Sequence, residues 1–155
     1  MKFLVFSDSH NYTNGLDFAI EKHPDIHHII HLGDVENDVE YLEMVYGRTH
    51  AIVSVLGNND FFSSTPLTHI IPIAGHKIFL AHGHKFSVKQ TKETIKRYAK
   101  NAGCDVCLFG HTHEQFLKDE GDFLLLNPGS IGYTRQEYAV LTVEKDRVTA
   151  ELFKK

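Results

Sequence analysis

Short apolar runs recur along this chain at 3–6, 29–32, 51–56, 78–81, 106–109, 123–126 and 138–143. Each is too short for a helix, and most are rich in Val, Ile, Leu or Phe. Near-continuous apolarity of this length, without alternation, predicts strands covered on both faces. Between several of them lie helical patterns, at 14–22, 36–46 and 88–102. In the last, Ser87 and Gln90 have the spacing of a capping box, and Val88, Thr91, Ile95, Ala99 and Ala102 recur on one face. Gly103 follows in the position that closes a helix. After Gly132 the alternation of strand with helix stops. The runs 138–143 and 148–153, joined through Glu144-Lys145-Asp146-Arg147, predict a terminal antiparallel hairpin. The class is α/β, with one or two largely buried sheets and helices outside.

With 155 residues and no repeat, low-complexity tract or linker, one domain spanning 1–155 is expected. No apolar run approaches the roughly 18 residues of a membrane span. Asp8 and His10 arrive too early to leave room for a signal peptide's apolar region, so a cytoplasmic protein is expected, with no membrane partner. Cys104 and Cys107 stand in C-x-x-C spacing, but no second pair exists and they close a helix rather than open one, so their role reads as structural. A net charge of −4 argues against a broad nucleic-acid footprint. It does not exclude a local positive site.

The unusual count is twelve histidines. Five apolar runs end in polar residues of one chemical type: Ser7-Asp8-Ser9-His10, Gly33-Asp34, Gly57-Asn58-Asn59-Asp60, His82-Gly83-His84 and Gly110-His111-Thr112-His113. In α/β sheets, ligands bind beyond the carboxyl ends of strands, where loops converge. Glycine precedes Asp34, Asn58 and His111, where a sharp turn off the strand needs a permissive backbone. Each fragment alone is commonplace. Together they deliver hard oxygen and borderline nitrogen donors without a thiolate, a set suited to Mn, Fe, Co, Ni or Zn rather than to a structural zinc cage. Two such ions about 3.5–4 Å apart share a hydroxide, lower its pKa and clamp the attacking and leaving oxygens of a phosphate ester.

The ordered blocks D-x-H, G-D, G-N-x-D, H-G-H and G-H-T-H resemble the calcineurin-like metallophosphoesterases. The length and the later Asn127-Pro128-Gly129-Ser130 are similar to the small prokaryotic YfcE-type phosphodiesterase branch. The resemblance runs from Asp8 to about Arg135. It implies a four-layer sandwich of two mixed β-sheets flanked by helices, with a dinuclear centre at one edge. Carried over by position, Asp8, His10, Asp34 and His113 hold one ion. Asp34, Asn58, His82 and His111 hold the second, and Asp34 bridges. Manganese is the first expectation for both ions, ahead of Ni, Fe, Co or Zn.

One departure concerns the leaving group. Many relatives carry histidine where this chain has Asn59, which donates a hydrogen bond but supplies no acid proton near neutral pH. His84 is the nearest substitute, or else a residue that orients ligand His82. Asp60 is placed to orient a catalytic group at 59. Asn11, Asn58 and Arg135 are the candidates for touching phosphate, with a surface ion pair the alternative for Arg135. His23, His27, His28, His31, His50, His69 and His76 read as structural or solvent-facing. Rim loops at 60–69 and 84–90 are expected to set specificity. The leading reading is a hydrolase of phosphodiesters. Its rivals are a phosphomonoesterase or nucleotide hydrolase, and a metal-bearing protein-binding scaffold like the family's relative in membrane-coat assembly, although that relative has lost ligands and this chain has lost none. A homo-oligomer is compatible with either.

Overall fold

The run at 3–6 becomes β1 (Lys2–Phe6), whose period-two side chains split between two cores. Phe3 and Val5 pack between sheets, while Leu4 and Phe6 face helices. The computed structural model describes residues 1–61 and 63–155. The elements follow in the order α1 (Thr13–Lys22), β2 (His28–His31), α2 (Glu36–Tyr46), β3 (Ala51–Ser54), β4 (Thr68–Ile73) and β5 (His76–Ala81). Then come α3 (Glu93–Asn101), β6 (Val106–Leu108), β7 (Gln115–Asp119), β8 (Leu124–Pro128), β9 (Glu137–Val143) and β10 (Val148–Lys154).

Two five-stranded mixed sheets form, in the orders β10-β9-β1-β2-β3 and β4-β5-β6-β8-β7. The first has β1, β2 and β3 parallel, with the β9–β10 hairpin antiparallel beside β1. In the second, β5, β6 and β8 are parallel and flanked by antiparallel edges. Apolar faces of both sheets meet in one core containing Val5, Ile30, Leu80, Leu108 and Leu126. Leu16 and Leu42 of α1 and α2 cover the far side of the first sheet, and Ile95 and Ala99 of α3 cover the second. Four layers result, as the resemblance implies. The parallel strands β1, β2, β3, β5 and β6 all end at one edge.

Three local expectations are corrected. β4 and β7 had no signal in the apolar pattern because they are edge strands: Ile70 and Leu117 are exposed, Pro72 interrupts β4, and polar residues alternate irregularly. The helix expected over 88–102 starts at Glu93. The capping box does not form, because the Ser87 backbone is left-handed at φ 54 and its carbonyl accepts the N–H groups of Gln90 and Thr91. Thr91 Oγ1 takes the Glu93 N–H at 3.2 Å instead. Gly103, φ 80, closes the helix as expected. The β4–β5 hairpin turns on Ala74 and Gly75, both left-handed at φ 51 and 87, the conformation of a two-residue type I′ loop.

His76 does more than the solvent-facing reading allowed. At the start of β5, its Nδ1 meets Asp105 Oδ2 at 2.5 Å and its Nε2 meets the Glu144 carbonyl at 2.8 Å, so one ring ties the second sheet to the terminal hairpin of the first. The Asp105 hydrogen bond raises the pKa of His76 above its ordinary 6.5, against the effect of burial. A raised folded pKa stabilises fully below the unfolded value and loses that effect as pH rises through the folded value. The melting-temperature difference between wild type and Asp105→Asn is therefore expected to be largest below about pH 6 and to shrink steadily into the alkaline range. A difference that grows with pH would show that the ring is not the source.

Candidate metal centre

Five of the seven proposed ligand residues sit in the left-handed region: Asp8 (φ 54), His10 (φ 46), Asp34 (φ 51), His111 (φ 68) and His113 (φ 60). Non-glycine residues adopt that conformation only a few per cent of the time, and clusters of them mark functional sites. Each turns the chain sharply off a strand end. Glycine at 57 and 110 serves a different purpose from the permissive turn expected. A Cβ on Gly57 would lie 2.0 Å from Asp34 Oδ1, and one on Gly110 would lie 1.9 Å from Ser7 Oγ and 3.0 Å from Asp8 Oδ2. These positions let backbone press against the buried carboxylates.

Asp8 is fully buried and Asp34 is 1% exposed. Asp8 Oδ2 accepts the Ser7 hydroxyl at 2.6 Å and the His111 N–H at 3.1 Å. Its Oδ1 is buried and makes no hydrogen bond among the described residues. Around that atom stand His113 Nε2 at 3.2 Å, His82 Nε2 at 3.7 Å and His10 Nε2 at 4.0 Å. The donors gather into two groups, Asp8 with His10 and His113, and Asp8 with Asp34 and His82. Asp8 is common to both, whereas Asp34, the bridge implied by the resemblance, belongs to the second. The His111 ring stands outside both groups, 5.1 Å from the His82 ring between centroids.

His82 shows why a cation fits. Its Nδ1 donates to the Leu32 carbonyl at 2.7 Å, which orients the ring with Nε2 toward the carboxylates. That nitrogen faces Asn58 Oδ1 at 3.0 Å, Asp34 Oδ2 at 3.6 Å and Asp8 Oδ1 at 3.7 Å. Three oxygens and an imidazole nitrogen converge there, a donor set that suits a divalent ion. Burial pushes the Asp8 carboxyl up, but the neighbouring His113, His82 and Ser7 outweigh it and hold the group below the usual carboxylate range. Asp8 in turn raises His113 against burial. Burial and the adjacent His82 push His111 down to about 4. The His111 ring is thereby held in the neutral form that coordinates a metal.

The other expected site residues land as follows. Asn59 donates from its N–H to Asp34 Oδ1 at 2.9 Å and from Nδ2 to Asp34 Oδ2 at 2.7 Å, so it clamps a ligand rather than facing a leaving group. Asp60 does not orient a neighbour's side chain. Its oxygens accept the N–H groups of Gly57 at 2.6 Å, Asp34 at 3.2 Å and Glu36 at 2.6 Å, pinning two ligand loops to the start of α2. Asn11 is exposed beside His10, with its N–H given to Asp38. Arg135 pairs with Glu137 at 3.9 Å, so the ion-pair alternative describes it. His84 lies beside the centre, its ring 5.5 Å from that of His82, and burial lowers its pKa.

The sequence reading missed the layer beneath. His31 Nδ1 accepts the Gly33 N–H at 3.2 Å, so Nε2 carries the proton and meets Ser9 Oγ at 2.9 Å. Ser9 Oγ donates to Asp38 Oδ2 at 2.6 Å, and the same oxygen takes the Asn11 N–H at 2.8 Å. Ser130 Oγ holds the Asp8 carbonyl at 2.8 Å, and Asn127 Nδ2 holds Gly110 and Thr112. His31 is thus a buried neutral hydrogen-bond partner. The one available signal was a polar residue inside a fully apolar strand.

Comparison with known proteins agrees with this geometry. Residues 1–146 match the calcineurin-like phosphoesterase superfamily domain. A probable metallophosphoesterase, YsnB of Bacillus subtilis, is 32% identical over 99% of this chain and 90% of its own length. The phosphodiesterase YfcE of Escherichia coli is 25% identical over 84% of this chain and 79% of its own. The structure of Vps29 complexed with zinc from Entamoeba histolytica superposes with a TM-score of 0.77, at 22% identity, over 99% of both chains. With its carboxylates and imidazoles delivered by five strand ends of a two-sheet sandwich, this chain belongs to the calcineurin-like phosphoesterase superfamily, in its YfcE-type branch.

Proposed function

We propose that this chain is a phosphodiesterase working with two divalent ions, manganese first among them with Ni, Fe, Co or Zn as alternatives. One ion is held through Asp8, His10 and His113 and the other through Asn58, His82 and His111, with Asp34 between them. The observation that carries this reading is the buried, unpaired Asp8 Oδ1, ringed by three imidazole nitrogens. When bound, the ions supply the positive charge that draws a phosphate ester to an acidic protein and lower the pKa of the attacking water. The chain's own residues orient and exclude. Leu32 orients the His82 ring, Asn59 fixes the Asp34 rotamer, and Asp60 and Asp38 hold the loops that bring the donors together. Positioning of this kind carries most of the catalysis in phosphoryl chemistry.

Chelation is expected to abolish hydrolysis of an aryl phosphodiester such as bis(p-nitrophenyl) phosphate, and added Mn²⁺ to restore it. Full activity in demonstrably metal-free protein would end the reading.

Metal content distinguishes the two positions. Asp34→Asn removes charge between the ions and is expected to lower both, whereas Asn58→Ala removes a neutral ligand of one and should leave close to one ion per chain. Two ions retained in Asp34→Asn, read by atomic emission, would refute Asp34 as the shared ligand.

Position 59 provides no acid proton, so the rate should depend steeply on the leaving group, with phenolates departing far faster than alkoxides. Asn59→His is expected to raise kcat/KM selectively for poor leaving groups, by less than the roughly 10²–10⁴-fold of an optimised general acid, because it also loosens Asp34. The measurement is a series of esters of graded leaving-group pKa. A flat series in wild type would assign proton delivery to His84.

A further inference from the structure

Two openings among the described residues differ in what they suit. The larger, about 350 Å³, lies at the opposite ends of the strands from the metal centre. It is lined by Asp105, Asp119, Asp122 and Asp146, with His76 and Arg147 as its basic groups. Carboxylates outnumber basic groups there, which disfavours a phosphate ester. The smaller, about 100 Å³, lies between the segment entering β4 and the turn that follows β5. Its walls are mainly apolar, formed by Leu67, Ala81 and Phe86, and His82 and His84 line it as well.

His82 belongs to both this pocket and the donor cluster of the metal centre, so the apolar walls adjoin that cluster through its imidazole. Leu67 and Phe86 come from the two rim loops that the sequence singled out, and Ala81 and His82 from the end of β5 and the turn after it. Residue 62 of the first loop lies outside the described residues. Leu67 is 45% exposed, so the pocket opens at its rim rather than being sealed. Size narrows the occupant. An enclosed cavity of about 150 Å³ takes one benzene ring, so an open pocket of about 100 Å³ suits a group on the scale of one ring or a branched alkyl substituent. Polarity limits it further, since sugar hydroxyls pressed on apolar walls would lose hydrogen bonds to water without replacement.

We propose that this pocket receives one substituent of the phosphodiester, a single aromatic ring or a branched alkyl group of similar size, with Leu67 and Phe86 as the residues that determine specificity. The proposal rests on the phosphodiesterase reading above, and binding separates the two. Calorimetry on the Mn²⁺-loaded protein compares phenylphosphonate with methylphosphonate, which share the metal-binding group and are not hydrolysed. The phenyl compound is expected to bind about tenfold tighter, the effect of withdrawing roughly half a ring's surface from water. Leu67→Trp, at a partly exposed loop position, fills the mouth and should reduce the preference to within twofold. Leu67→Met should keep it. Among p-nitrophenyl diesters, wild type should favour a phenyl over a methyl second substituent in kcat/KM, and Leu67→Trp should not. Equal affinities in wild type, or an undiminished phenyl preference in Leu67→Trp, would overturn the pocket assignment even if both diesters are hydrolysed. A phenyl preference in binding without hydrolysis of any diester would instead overturn the catalytic reading.

Discussion

Burying acid without a base is the constraint around which this edge of the molecule is organised. Asp8, Asp34, Asp38 and Asp60 are each at most 9% exposed, and among the described residues no lysine or arginine pairs with any of them. An uncompensated buried charge costs several kcal/mol. The outer two are satisfied by the chain itself: Asp60 by three backbone N–H groups, Asp38 by a hydroxyl and a backbone N–H. Asp8 accepts the Ser7 hydroxyl and the His111 N–H, Asp34 accepts two N–H groups of Asn59, and each keeps an oxygen turned toward imidazole nitrogens. Their charge is what the divalent cations of the proposed function would compensate.

The start of α2 is the joint where this arrangement is locked. Glu36 donates its N–H to Asp60 from the β3 loop, and Asp38, one turn in, receives Ser9 and Asn11 from the β1 loop. Carboxylates at a helix N-terminus meet unpaired N–H groups and the positive end of the helix dipole. Three loops, following β1, β2 and β3, are thereby referenced to one helix end. The loops that carry the donors are thus tied together through Ser9, Asp38 and Asp60, residues outside the proposed ligand set.

How much of this could be read from the sequence follows from the range of each interaction. β1, β2, β5 and β6 were legible because both faces are buried, which writes apolarity into consecutive residues, and because their polar caps follow at once in the chain. β4 and β7 lack that covering, so exposed Ile70 and Leu117 stand among polar residues without a period. The capping-box spacing at Ser87 and Gln90 was a local signal overridden by a left-handed backbone and by Val88, which is buried against the α3 core. Ser9 and Asp38 escaped notice, His31 was read only as structural or solvent-facing and Asp60 only beside position 59, because most of their side-chain partners lie more than twenty residues away. Asn59 was found for its position and misjudged for its contacts, since only the fold shows that its amide is taken by Asp34.

Left-handed backbone occurs in this molecule for two unrelated reasons. At Ala74 it is demanded by the shape of a two-residue hairpin loop, away from any donor group. Asparagine or glycine adopts that shape with less strain, so the residue there is open to replacement by drift or by design without consequence for chemistry. At Asp8, Asp34 and His113 the same torsion comes with a side chain that has to be a carboxylate or an imidazole, and relieving the backbone would forfeit the donor. Strain of equal size is therefore erasable at one turn and inherited at the others, and directed evolution for thermal robustness would be expected to settle on residue 74 long before it touched residue 8.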